Sequence, residues 1–304
     1  PAMSVAPPSP DMSAKIPRHL LKPKDWIAWS IIAFEYALMF GSAWLAEQVA
    51  PGPWRWAARL AAILLIGNRM FVVGEELFHE ASHFKMFRNR KLNAYVGNLL
   101  LGLPYCNEFY SYHEEHSLHH RSPLAHNDSL SEDYRNWGLY DRSMTFFQVY
   151  FGRSLWFPQF DHARRVAKQL AGNSVYAAKV LTTFTVMFAV CWLANGPQYF
   201  FMYWIAPFLL VHPVFLFWSE IEDHFNSRSG SRSVFSFNPF MYPYNSGYHY
   251  AHHLYPNVPW YNIIEVHNLL CKGKGDEASG FMEAYKQMEP RDMPFPESAK
   301  DRIS

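Results

Sequence analysis

The chain has 304 residues with 27 Lys and Arg against 26 Asp and Glu, and its formal net charge of +1 gives no basis for binding nucleic acid. Aromatic residues make up 18% and charged residues only 17%, below the roughly 25% charged that soluble globular domains carry. Three scattered cysteines, Cys106, Cys191 and Cys271, with no CxxC pair, imply no disulfide framework.

Residues 1–24, "PAMSVAPPSPDMSAKIPRHLLKPK", lack the apolar run of a secretory signal and read as a disordered, mildly basic tail. Four stretches then reach the roughly 20 apolar residues that span a bilayer as helix: Trp26 to Glu47, Trp54 to Phe78, Val175 to Ala194 and Tyr199 to Glu220. They pair into two hairpins across the turns "QVAPGP" and "NGPQ", neither of which carries Lys or Arg. The tail, the long middle segment and the C-terminal segment hold most of the basic residues, which predicts cytoplasmic termini and middle, with both turns outside. A soluble protein with buried helices is the alternative. Glu35 and Arg69 lie inside the first hairpin, each nine residues from the cytoplasmic boundary if Trp26 is level with Phe78. Charges at that depth are costly and usually pair, so a Glu35–Arg69 contact is expected.

"LNAYVGNLLLGLPY" (Leu92 to Tyr105) is too short to span and ends in Pro, as a re-entrant or interfacial helix does. Arg142 to Phe160 mixes aromatics with Arg and fits an interface-lying segment. The aromatics of Tyr105–Tyr112 and Phe146–Phe160 suit either an apolar tunnel or interface anchors. Beyond Pro259 the chain is polar and is read as short cytosolic helices.

Most of the 15 histidines fall into clusters. "FHEASHF" supplies His79 and His83 just past the second apolar segment. "YHEEHSLHH" supplies His113 and then His116, His119 and His120, spaced i, i+3, i+4. His224 follows the fourth segment in "SEIEDHF", and "YHYAHHLYP" repeats the i, i+3, i+4 spacing with His249, His252 and His253. On a helix these spacings share one face, so each box can aim its imidazoles at one point. "HEASH" alone also fits a zinc-protease HExxH. Together, nine imidazoles on the predicted cytoplasmic side exceed the three or four ligands of one zinc centre. They suit two transition metals, for which iron is the usual choice in O2 chemistry.

Glu80, Glu114, Glu115, Asp128, Glu222 and Asp223 are candidates to accept the outer N–H of metal-bound imidazoles, or are simply solvated acids at helix ends. Glu220, one turn before His224, is placed to reach a metal directly or through water. His19, His162 and His267 read as surface or capping residues. His126 and His212 stay open: His212, beside Pro213 inside an apolar segment, serves either a local hydrogen bond or a substrate.

The order HxxxH, HxxHH, a lone His after the fourth helix, then HxxHH resembles the membrane fatty acid desaturase superfamily. "YHYAHHLYPNVPWYN" is similar to its third box almost letter for letter, and the resemblance covers roughly residues 25–272. It implies an all-α integral membrane protein with a cytosolic helical cap holding a non-haem di-iron site. It also implies O2 and two electrons as co-reactants. By that match His79, His83, His116, His119, His120, His224, His249, His252 and His253 are the iron ligands. Members of known structure carry an Asn one turn before the lone His; Glu220 stands there in this chain and is one catalytic candidate, and His212, on the substrate-contact reading, is the other.

"EHSLHH" and "IEDHF" are similar to alkane monooxygenase-like members, so a hydroxylase stands beside the desaturase, and the superfamily also includes carotenoid ketolases and olefin-forming decarboxylases. The domain expectation is a tail over 1–24, a catalytic domain over 25–272 and a C-terminal tail over 273–304. The substrate expected is a fatty acyl or other lipid-like chain. With no haem or flavin motif, electrons come from a ferredoxin or a small haem cytochrome with its reductase. Arg88, Arg90, Lys91 and Arg121 could meet an anionic headgroup or serve only the charge bias of a cytoplasmic face. A membrane metal-binding or transport protein is the non-enzyme reading; transporters hold their ligands at the bilayer midplane, and these boxes lie outside it.

Overall fold

The computed structural model describes residues 16–289 except 126, 127, 142, 195 and 237. His126, the tail over 1–15 and the chain from 290 onward lie outside these residues. Four helices are long and apolar enough to cross a membrane: α1 (Asp25–Gln48), α2 (Pro53–Ser82), α7 (Ser174–Ala194) and α8 (Gln198–Asp223). Between and after them come α3 (Arg90–Val96), α4 (Phe109–Arg121), α5 (Ser129–Asn136), α6 (Phe157–Gly172), α9 (His249–Leu254), α10 (Ile263–Val266) and α11 (Phe281–Gln287). The one departure from an all-helical chain among the described residues is a pair of three-residue strands, β1 (Arg232–Val234) and β2 (Asp276–Ala278), joined in parallel. The chain divides into two compact units.

The first unit comprises Pro23–Tyr112 and Ser154–Phe217, and so holds α1, α2 and α7. Its long helices carry large apolar side chains on the outside: Trp26, Phe34 and Trp44 on α1, Trp54 and Leu60 on α2, Leu181 and Trp192 on α7 are all well exposed. A helix that leaves such residues outward is built for a lipid surround rather than for water. Charges inside these helices are paired. Arg69 Nη1 lies 3.4 Å from Glu35 Oε1, with the Glu35 side chain fully buried, and Arg69 Nε donates to Asn68 Oδ1 at 3.0 Å. Nearer the turn, Arg59 grips Glu47 with both Nε and Nη2 at 2.9 and 2.8 Å, and Tyr199 and Tyr203 of α8 donate to the same carboxylate.

Pro53 starts α2 at a position that has no use for an N–H, after Gly52 turns the chain at φ +145°. Over Val72–Leu77 the same helix loosens into a π segment. Gly74 sits there because a Cβ would meet the Tyr105 ring at 2.6 Å. The short apolar stretch forms α3, a π segment over Gly97–Gly102 and a 3-10 turn over Leu103–Tyr105, with Tyr95 and Leu99 exposed and Tyr105 buried.

The second unit gathers three separated stretches: 16–22, His113–Arg153 and the chain from Trp218 onward. Two sequence boundaries shift here. Residues 16–22, assigned to the tail, are ordered, because Leu20 is an apolar residue buried among Tyr250, Tyr255, Val258 and Ile263. The stretch after 272, also read as tail, supplies β2 and α11, and β2 pairs residue by residue with β1. His267, read as a surface residue, is buried between the rings of Phe235 and Tyr248, each 5.1 Å away. His162 in the first unit is likewise buried, against Phe208 and His212, while His19 is exposed as expected.

Candidate metal centre

Helix α4 is started by Glu108, whose carboxylate accepts from the backbone N–H of Tyr110 and Ser111 at 3.0 and 2.9 Å. Its spacing then sets His116, His119 and His120 on one face. Helix α8 ends at Asp223, and His224 is the next residue, its N–H still bonded to Glu220 O at 3.1 Å before Asn226 turns at φ +54°. Helix α9 is a single six-residue segment that carries His249, His252 and His253 and stops before Pro256.

In the second unit seven of the nine predicted histidines come together. His119 Nε2 lies 3.1 Å from His224 Nε2, and His249 Nε2 lies 2.8 Å from the same atom. His253 Nε2 is 3.1 Å from His249 Nε2, and the His253 ring stacks on His120 at 4.1 Å. His116 Nε2 and His120 Nε2 are 2.8 Å apart, and His116, His120 and His252 offer ligand atoms within 4.8 Å of one another.

The outer nitrogens decide what these contacts are. His119 Nδ1 lies 2.9 Å from Asp128 Oδ2, and His224 Nδ1 lies 2.9 Å from Gly230 O. A carboxylate and a carbonyl only accept, so both rings carry their proton on Nδ1. Burial would raise the Asp128 carboxyl, but hydrogen bonds from His119, Leu124 and Leu130 prevail and hold it below the ordinary range. When both rings are neutral, the Nε2 atoms of His119 and His224 face each other with lone pairs and no proton between them. Burial also pushes the His224 and His253 imidazoles well below their usual range, which keeps them neutral. Two lone pairs 3.1 Å apart repel unless a cation sits against them. Cis ligands on a metal with bonds of about 2.1 Å stand about 3 Å apart, which is the spacing observed. The residues fit a metal ion of the imidazole-binding class.

The first unit contributes its own pair at the end of α2, where His79 Nε2 and His83 Nε2 are 3.2 Å apart and Ser82 Oγ donates to His79 O at 2.6 Å. His212 is in this unit, fully buried. Its Nε2 comes within 3.1 Å of Glu75 Oε1, off the axis of a directed hydrogen bond, and its ring stacks on Phe208. It belongs to neither group of close ligand atoms. Glu220 is half-buried and also absent from both groups; its backbone carbonyl accepts from Tyr134 at 2.7 Å.

The acidic candidates separate in the same way. Asp128 holds His119 as described, and Asp223 Oδ2 approaches His249 Nδ1 at 3.7 Å while accepting from Ser219 Oγ. Glu114 and Glu115 are exposed, and Glu80 is buried. Glu222, fully buried, reaches no imidazole: Tyr150 and Tyr242 donate to its two oxygens, Tyr242 at 2.8 Å. Sequence reasoning missed this tyrosine pair, and it missed Arg232 and the partner of His212. The last had a usable signal, since Glu75 is an acid inside an apolar segment just as Glu35 is.

The fatty acid desaturase family model matches residues 54–278. Three similar curated proteins are desaturases by name. The mouse sphingolipid delta(4)-desaturase DES1 is 24% identical over 275 residues, covering 85% of this chain and 79% of that protein. The sn-1 oleoyl-lipid 12-desaturase of Arthrospira platensis is 22% identical over 290 residues, with 83% and 78% covered. The rat sphingolipid delta(4)-desaturase/C4-monooxygenase DES2 is 24% identical over 269 residues, with 82% and 76% covered.

Proposed function

The chain belongs to the fatty acid desaturase family, and from that premise we propose that it is a membrane-bound non-haem di-iron oxidoreductase of a fatty acyl or lipid-like chain, first of all a desaturase. The observation that carries this reading is the set of imidazole Nε2 atoms turned on one another at 2.8–3.1 Å, with two of the outer nitrogens held by Asp128 and Gly230. In the proposed assignment His119, His224, His249 and His253 hold one iron. His116, His120 and His252 hold the other, and His79 and His83 are proposed as iron ligands as well. Two irons so bound would supply the activation of O2 and the removal of hydrogen from an unactivated C–H bond.

The chain's own residues prepare that chemistry. Asp128 and Gly230 fix the protons of His119 and His224 on the outer nitrogens, which keeps the inner lone pairs free for metal. The long helices, proposed to form two hairpins with both termini and the histidines on the cytoplasmic side, offer an apolar exterior along which a lipid reaches the site. Glu220 is proposed as a water-bridged or direct metal ligand, and His212, with Glu75, as a polar contact within an otherwise apolar helix. Two electrons are proposed to come from a ferredoxin or a small haem cytochrome with its reductase.

Hydroxylation is the second reading, favoured by the double activity in the name of the DES2 relative. The two outcomes differ only in whether a second hydrogen leaves or an oxygen is added. Iron-loaded protein should be incubated with reductant, O2 and a lipid panel and the products read by mass spectrometry. Loss of two hydrogens indicates desaturation, gain of one oxygen hydroxylation, and loss of carbon dioxide an olefin-forming decarboxylation. One zinc per chain and no iron would overturn the di-iron reading. His252→Ala should abolish turnover with membrane insertion intact, and retained turnover would remove that histidine from the ligand set.

A further inference from the structure

Strand β1 is three residues long, and its neighbours are not those of an ordinary sheet. The Arg232 side chain, fully buried, donates from Nη1 to Glu222 O at 2.6 Å and from Nη2 to Phe225 O at 3.0 Å. These carbonyls lie at the C-terminal end of α8, where a cation also meets the negative end of the helix dipole. His224 lies between them in sequence. The next residue, Ser233, accepts the N–H of Tyr250 on its Oγ at 3.2 Å, inside α9. Val234 then donates its N–H to Gly247 O at 2.8 Å, just ahead of α9. Gly247 is required for that approach, since a Cβ there would collide with Val234 O. Three consecutive residues thus grip the segment bearing His224 on one side and the helix bearing His249, His252 and His253 on the other.

We propose that Arg232 is a positioning residue for the metal centre, and that β1 is the brace setting the distance between His224 and the third histidine box. The inference rests on the metal reading of the preceding subsection and goes beyond it in naming what holds the ligands apart. The brace is anchored in turn by the chain after 272. Gln287 Oε1 accepts from Arg232 Nε at 2.9 Å, and Gln287 Nε2 donates to Glu277 O at 2.6 Å. Asp276 Oδ2 accepts from Ser227 Oγ and from the N–H groups of Arg228 and Ser229, pinning the loop that leads to Gly230. Gly230 O is the acceptor of His224 Nδ1. The His224 ring is therefore oriented from its backbone by Arg232 and from its outer nitrogen by the loop that Asp276 holds. A fully buried guanidinium is costly to desolvate, and carbonyls at a helix end are satisfied cheaply by water when exposed. Burying the charge here is explained by what lies between the two carbonyls.

The test uses the full chain in detergent, loaded with ferrous iron. Iron per chain, the rate of iron loss to a chelator and the Mössbauer spectrum are recorded for Arg232→Met, Arg232→Lys, Ser233→Ala and Gln287→Ala. Arg232→Met should lose about half of its iron, with the surviving site spectroscopically intact and the circular dichroism unchanged. Arg232→Lys keeps the charge but not the planar fork, and should release iron roughly tenfold faster than the unsubstituted chain. Ser233→Ala removes one bond and Gln287→Ala two, and both should fall between, which serves if Arg232→Met fails to fold. Iron content, release rate and spectrum matching the unsubstituted chain in Arg232→Lys and Gln287→Ala would overturn the inference. An unsubstituted chain that holds no iron would instead remove the metal reading, and this inference with it.

Discussion

Asp128→Asn separates what Asp128 does for the fold from what it does for the metal. Asp128 Oδ1 caps α5 by accepting from Leu130 N at 3.2 Å, and Oδ2 accepts from Leu124 N at 2.7 Å and from His119 Nδ1 at 2.9 Å. Asn is as good a cap as Asp. With its oxygen on Leu130, however, its NH2 group must face two donors. A charge-assisted hydrogen bond of about 1.5–3 kcal/mol is lost at His119, and the ring is freed to move its proton to the inner nitrogen. At about 1.4 kcal/mol per decade this is a loss of roughly 10–100-fold in metal affinity. Chelator competition with ferrous iron measures it directly. Because Asp128 titrates below the ordinary carboxylate range, its contribution is complete above that range and is lost only as pH falls through its lowered value. The affinity comparison should accordingly be made at about pH 8, well above that range. An Asp128→Asn variant that binds iron as tightly as the unsubstituted chain would refute the reasoning.

Removing either partner of the buried Glu35–Arg69 pair, as in Arg69→Met, should cost about 3–5 kcal/mol in detergent unfolding, and Glu35→Gln with Arg69→Met should recover most of it. Recovery that fails would show the two charges are held by other groups. Burial depresses the His162 imidazole, so its folded form stays neutral while the unfolded chain takes up a proton below about pH 6.5. Stability should be full above that value and fall as pH drops below it. His162→Phe should flatten the pH dependence of the melting temperature, and an unchanged slope would exclude this histidine as its source. If the centre holds iron as proposed, a chelator should lower the melting temperature and raise solvent exchange at His224; no change would argue against iron held by the second unit's imidazoles.

The histidine clusters were legible because ligand geometry is written in short-range spacing: i, i+3, i+4 on a helix gives a shared face whatever else the chain does. The four long helices were legible from apolar length, and the Glu35–Arg69 pair from the cost of charge at that depth. The brace was not. Arg232 meets Glu222 O and Gln287 through contacts 10 and 55 residues away in sequence, and backbone carbonyls carry no residue-type signal. Glu222 misled for a related reason: two positions from His224 it reads as an imidazole partner, but its side chain turns toward Tyr150 and Tyr242. His162 and His267 were read as surface or capping residues because a lone histidine outside the boxes gives no hint of the ring packed on it. The tail boundary at 24 followed composition and that at 272 the extent of the resemblance, and neither registers one buried leucine or a three-residue strand.

The unit that carries seven of the histidines is assembled from 16–22, His113–Arg153 and the chain from Trp218 onward. This fixes an order of events during synthesis. At roughly 5–20 residues per second the ribosome has finished all four long helices well before it supplies α9, Asp276 and Gln287. The histidines of α4 leave the ribosome early, before His249, His252 and His253 of the last stretch. If the centre holds iron as proposed, its loading completes only after the ribosome has supplied α9, Asp276 and Gln287, the final part of the described chain.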